Sequence, residues 1–138
     1  MPDTLLILII SMLFFLFLAY LPIYFWIAEK NLTILNFVDG RHKLPKKGLK
    51  AEIATLAFEN YKETYPIFLT LCTLGITMGI PLQHAALIWM WSRFIHAPSY
   101  IFNWKWIRTL SWHMSLLCLI TMIFQIIFLN RLTMFTHF

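Results

Sequence analysis

Four long apolar stretches, separated by short polar or turn-forming segments, set the pattern of this chain. The first runs from Leu5 to Ile27. At 1.5 Å per residue it extends about 35 Å, enough to cross a hydrocarbon core of about 30 Å. Tyr20, Tyr24 and Trp26 crowd its far end, where interfacial aromatics belong, and Pro22 predicts a bend there. No basic leader or small-x-small cleavage site accompanies it, so it reads as a retained span. Asn31 to Lys50 then reads as a loop, with a tight turn at Asp39-Gly40 and an extended break at Leu44-Pro45. A second helix is expected over 51–78, amphipathic in its first half (Glu52, Glu59, Asn60, Lys62, Glu63) and apolar in its second. Gly79 and Pro81 make a very short connection to a third helix over 82–97. Pro98-Ser99 and an aromatic linker (Tyr100, Phe102, Trp104, Trp106) lead to a fourth over 107–129. There is no internal repeat and no low-complexity segment.

Composition agrees with that pattern. Hydrophobic residues make up 60% of the chain and charged residues only 12%, against about 25% charged in soluble domains. The expected fold class is therefore all-α, an integral membrane four-helix bundle forming a single domain over residues 1–138. The net charge of +5 does not imply nucleic acid. Of the eleven basic residues, Lys30, Arg41, Lys43, Lys46, Lys47 and Lys50 all fall in or beside the first loop. That is the cytoplasmic-loop bias of membrane proteins, and it suits anionic lipid headgroups. Cys72 and Cys118 lie inside expected spans without CxxC spacing and read as small packing residues rather than a redox pair.

Four crossings place both termini on one side. Lys105 and Arg108 lie on the same side as the basic first loop, so this side faces the cytoplasm and the termini lie outside. The Asn31-Leu32-Thr33 sequon then falls on the cytoplasmic side and is expected to be silent. Counting back from Gly79, Glu63 lies about 24 Å and Asn60 about 28 Å along the helix axis, just inside the cytoplasmic boundary. Arg93 climbs about 18 Å from Pro81 towards the same boundary. Asn60, Glu63, Arg93, Tyr100 and Arg108 are thus candidates to converge on one cytoplasm-side pocket.

Each has a structural alternative. Asn60 and Glu63 share a helix face and can serve as interhelical glue, with Glu63 paired to Arg93 or Lys62. Arg108 can be a positive-inside anchor, and Tyr100, Trp104 and Trp106 an interfacial belt. Glu59 and Glu63 are four apart, but Lys62 makes an ordinary pair with Glu59 the simpler reading. His42, His84, His96, His113 and His137 are scattered without metal-ligand spacing, so no metal is expected.

The segment Ala57, Asn60, Glu63, Pro66, Phe68 resembles the MAPEG family, the membrane-associated proteins of eicosanoid and glutathione metabolism. The family pattern on the second helix is Arg-x-x-Arg-Ala-x-x-Asn-x-x-Glu-x-x-Pro-x-Phe. A second block is similar to the bacterial branch: Arg93, then Pro98 and Tyr100, then Arg108, with Arg41 and Gly48 in the first loop. Three positions depart from the pattern. Ile53 and Leu56 stand where the family has two arginines that hold glutathione carboxylates, and His96 stands where it has tyrosine.

The resemblance implies a homotrimer with sites between neighbouring subunits, in a bacterial inner membrane. It implies glutathione as co-substrate, added to a lipophilic electrophile or used to reduce a lipid hydroperoxide. The chemistry needs a thiolate, and a fixed guanidinium beside the sulfur favours that charged form. On this resemblance Arg108 is the catalytic candidate. Asn60 and Glu63 would hold the glutathione backbone or amine, Arg93 and Tyr100 would line the pocket, and Lys50, with Lys46 and Lys47, would replace the missing carboxylate partners. The alternative is a non-catalytic trimeric scaffold or lipid-binding subunit that kept the fold and lost the glutathione site.

Overall fold

The structure, a computed structural model, describes residues 2–29, 33 and 45–136, with side chains within 3–129. The Asp39-Gly40 turn, Arg41 and the Asn31 sequon position lie outside the described residues. Four helices follow in order: α1 (Pro2–Ala28), α2 (Leu49–Met78), α3 (Gln83–Ile101) and α4 (Lys105–Thr136), and among the described residues there is no strand. By length and hydropathy together, α1 and α4 are apolar enough to cross a membrane. In α2 the charged residues of the first half and a run of threonines dilute the apolar signal. The shorter α3 carries His84, Arg93 and His96.

α3 packs most closely on α4 and α1 on α2, with α2 lying against α3. The core is aromatic. Phe68 and Trp89 stack with centroids 3.8 Å apart and planes 8° from parallel, and both are fully buried. Tyr61, Tyr65, Phe14 and Phe15 surround them. At the loop end, Ala51, Ala54 and Ala57 give α2 a small-residue face that is completely buried, and Trp26 with Phe25 packs on Ala51. Small residues allow helices to approach closely where no aqueous hydrophobic drive exists. The outside is apolar as well: Trp106, Leu110, Leu117, Phe124 and Phe128 project from α4, and Leu6, Leu13, Leu16 and Phe17 from α1. Such surfaces suit lipid or another subunit, not water.

Both tight turns end in left-handed residues. Gly79 (φ 73°) closes α2, with the Ile80 N–H donating to the Gly75 carbonyl at 2.8 Å and the Gly79 N–H to Ile76 at 3.4 Å. Asn103 (φ 55°) closes α3 in the same way, with Trp104 donating to Ser99 at 2.9 Å and Asn103 to Tyr100 at 3.2 Å. These are Schellman caps. They explain why α3 continues past the end expected at Ala97. Pro98 removes one N–H, but the helix gains its terminating bonds from Asn103 and Trp104, five and six residues later, and the chain reverses at once into α4.

Candidate functional site

Because the reversal at Asn103 is so short, the last turn of α3 faces the first turns of α4. His96 and Tyr100, one turn apart on α3, then meet Arg108, Thr109 and Trp112 on α4. Asn60 reaches in from α2, and these six residues line a cleft of ≈ 200 Å³.

Asn60 is half-buried and its amide is oriented by two bonds. Nδ2 donates to the Leu56 carbonyl at 3.2 Å and to the Tyr100 hydroxyl oxygen at 2.6 Å. A carbonyl can only accept, so the nitrogen must face Leu56 and Tyr100. The phenol oxygen is therefore an acceptor towards Asn60, which leaves its own O–H free to donate elsewhere.

Arg108 supplies the charge. Its Cζ lies 4.8 Å from the centre of the Tyr100 ring, a cation–π contact. Among the described residues the guanidinium has no carboxylate partner. The one ion pair among the described residues is Lys62–Glu59 at 2.7 Å on the exposed face of α2. A half-buried, unneutralised guanidinium beside a phenol O–H is a combination that receives an anion.

Of the other expected site residues, none lines this cleft. Glu63 is exposed and has no hydrogen-bond or ion-pair partner among the described residues. The Glu63–Arg93 ion pair does not form. Arg93 is 1% exposed, turns inward, and donates from Nη2 to the Thr64 hydroxyl at 2.7 Å, with its Cζ 5.7 Å from the Trp89 ring centre. The physical reason is helical rotation: Thr64 is turned about 100° from Glu63 and faces α3, while Glu63 faces out. Lys50 lies about 15 Å along α2 from Asn60. Its side chain is exposed, and its backbone N–H donates to Glu29 Oε1 at 3.0 Å. Lys47 is engaged with Thr55 at 3.0 Å and lies 5.7 Å from the Trp26 ring. Ile53 is half-buried and Leu56 exposed, both without polar contacts from their side chains.

Three cleft residues were not singled out as site candidates from the sequence: His96, Thr109 and Trp112. For His96 the available signal was its replacement of the tyrosine in the second block. Trp112 follows from Arg108 by i, i+4 spacing, and Thr109 from Trp112 by i, i−3 spacing, once the position of the turn is known.

An all-helical chain with an apolar exterior, carrying a solitary arginine and a tyrosine in a cleft at one end of the bundle, defines a class of small membrane proteins built around a polar terminal site. The chain belongs to the MAPEG family: the model of that family matches residues 4–128, nearly the whole length. Neither the curated proteins nor the solved structures yield a match.

Proposed function

We propose that this protein is a glutathione-dependent transferase or peroxidase acting on lipophilic electrophiles or lipid hydroperoxides at the membrane. The observation that carries this reading is the Arg108 guanidinium, unpaired by any described carboxylate and set over Tyr100 in the cleft. A thiol bound beside it loses its proton to solvent more readily, because the fixed cation favours the thiolate. The free O–H of Tyr100, held by Asn60, adds a donor to the same sulfur. The thiolate then forms a C–S bond with an electrophilic carbon, as either that carbon's π bond opens and its far end takes a proton from water or a leaving group departs with the bonding pair. With a hydroperoxide it attacks the terminal oxygen instead: the O–O bond breaks, the alkoxide leaves and takes a proton to become the alcohol, and the glutathione sulfenic acid condenses with a second glutathione to give the disulfide and water.

In this reading all four helices cross the bilayer, both termini lie on the non-cytoplasmic side of a bacterial inner membrane, and three chains associate. Exposed Glu63, one turn beyond Asn60, faces the neighbouring subunit or the glutathione amine.

The test is thiolate absorbance on mixing glutathione with the detergent-purified protein. A saturable signal that Arg108→Ala abolishes is the expected result. Absence of signal at millimolar glutathione would overturn the reading.

A second reading, a non-catalytic trimeric scaffold or lipid-binding subunit, is favoured by Ile53 and Leu56, which offer no cation to the carboxylates of glutathione. It predicts that Glu63→Gln weakens the oligomer more than it changes any ligand affinity. Unchanged oligomer stability in that variant counts against it.

A further inference from the structure

One side chain ties together the two elements that build the cleft. His96, 3% exposed in the last turns of α3, places Nδ1 3.1 Å from the Arg108 carbonyl oxygen and 3.1 Å from the Ser111 hydroxyl oxygen. Ser111 has already committed its hydrogen, since its Oγ donates to the same Arg108 carbonyl at 3.0 Å. Both neighbours of Nδ1 thus present lone pairs, and Nδ1 must carry the hydrogen. The other nitrogen, Nε2, is buried with no hydrogen-bond partner among the described residues.

The ring also meets Tyr100 edge-on, with centroids 5.3 Å apart and planes at 73°. His96 therefore touches both members of the Arg108–Tyr100 contact. It touches one through its backbone carbonyl and the other through its aromatic face. We infer that His96 is a positioning residue whose Nδ1–H, bonded to the Arg108 carbonyl, sets the register of α4 on α3 and so places the guanidinium over the phenol. Its consequence for thiol activation rests on the function proposed above; the positioning itself does not.

A residue that only filled space here would be replaceable by an apolar side chain of similar bulk. A positioning residue needs a donor at the Nδ1 location. His96→Asn returns an amide N–H near that point, His96→Gln places its amide nearer the Nε2 location, and His96→Leu supplies no donor.

Two readouts on the full-length protein in detergent separate these cases. The first is the Arg108 Nε–H resonance in arginine-labelled protein, assigned with Arg108→Lys and displaced by the ring current of Tyr100. It requires no ligand. The second is the thiolate signal with glutathione. His96→Leu and His96→Gln are expected to lose the ring-current displacement and to lower the thiolate signal about threefold to tenfold, the worth of one hydrogen bond. His96→Asn is expected to keep both.

Retention of the displacement in His96→Leu would overturn the inference. So would failure of His96→Asn as complete as that of His96→Leu at an unchanged unfolding midpoint. If the resonance follows the expected pattern but the wild type forms no thiolate, positioning stands and the glutathione reading falls. Should the variants not fold, the ¹⁵N shifts of His96 in the wild type decide. Hydrogen on Nδ1 supports the inference and hydrogen on Nε2 overturns it.

Discussion

The guanidinium carbon of Arg108 lies 4.8 Å from the centre of the Tyr100 ring, and the hydroxyl of that same ring accepts a hydrogen bond from Asn60. A cation on α4, an aromatic on α3 and an amide on α2 thus form one connected contact. The charge of Arg108 contributes little to folding, because no described carboxylate neutralises it.

Arg108→Ala is accordingly expected to leave the unfolding midpoint close to that of the wild type while removing the thiolate signal. Arg108→Lys keeps the charge but loses the planar group that lies over the ring. It is expected to recover only a small part of the signal. Parallel thermal unfolding and thiolate titrations check both variants.

Asn60 and Tyr100 are expected to act as a pair. Asn60→Ala and Tyr100→Phe should each cost about 1 kcal/mol, and the double variant should cost little more than either, since both remove one bond. Additive costs in the double-mutant cycle would show that the 2.6 Å contact is energetically silent.

Arg93 is expected to matter for the bundle rather than the cleft. Arg93→Ala removes a completely buried side chain beside Trp89 and strands the Thr64 hydroxyl, with an expected cost of about 2–5 kcal/mol. Arg93→Met keeps most of the volume and drops a buried charge that has no ion-pair partner among the described residues, so it should cost much less. The order of the two unfolding midpoints decides the matter.

Asn103 holds a left-handed conformation that glycine adopts freely and β-branched residues resist. Asn103→Gly should be neutral or slightly stabilising. Asn103→Val should cost about 1–2 kcal/mol and weaken glutathione binding with it, because the turn sets the distance between Tyr100 and Arg108.

At the other end of α2, Glu29 Oε1 accepts the Lys50 backbone N–H, a carboxylate placed against a helix N-terminus. Glu29→Ala should cost about 0.5–2 kcal/mol, as for loss of a helix cap. Lys50→Ala, whose side chain is exposed, should leave both stability and glutathione affinity unchanged.

The four helices were legible because long apolar runs and the Gly79–Pro81 break are strong local signals. The convergence was legible in part: of the five residues expected to meet at one end of the bundle, Asn60, Tyr100 and Arg108 share the cleft, while Glu63 and Arg93 do not line it. Rotation was not. Whether Glu63 or Thr64 faces Arg93 turns on a single residue step, and the mixed polarity of α2 in that stretch does not select one. The end of α3 was obscured because Pro98 reads as a stop, whereas the operative signal is Asn103, whose tolerance of positive φ allows the later cap. His96 stood out as a departure from the family tyrosine but not as a site residue, for a different reason. A lone histidine without metal spacing carries no pattern, and its significance comes from an Arg108 carbonyl that only the folded turn brings within reach.

The cap at Asn103 leaves three residues between α3 and α4, so most of the cleft is a property of one helical hairpin. His96, Tyr100, Arg108 and Trp112 are neighbours along the chain before they are neighbours in space, and the entropy of closing so short a loop is small. On folding, this hairpin can assemble its polar end as soon as its two helices pair, setting the guanidinium over the Tyr100 ring before α2 docks. Asn60 arrives from a different hairpin and acts as the latch that registers one half of the protein on the other. A protein built this way can vary the chemistry of its cleft within a stretch of fewer than twenty residues while leaving the membrane-facing remainder untouched.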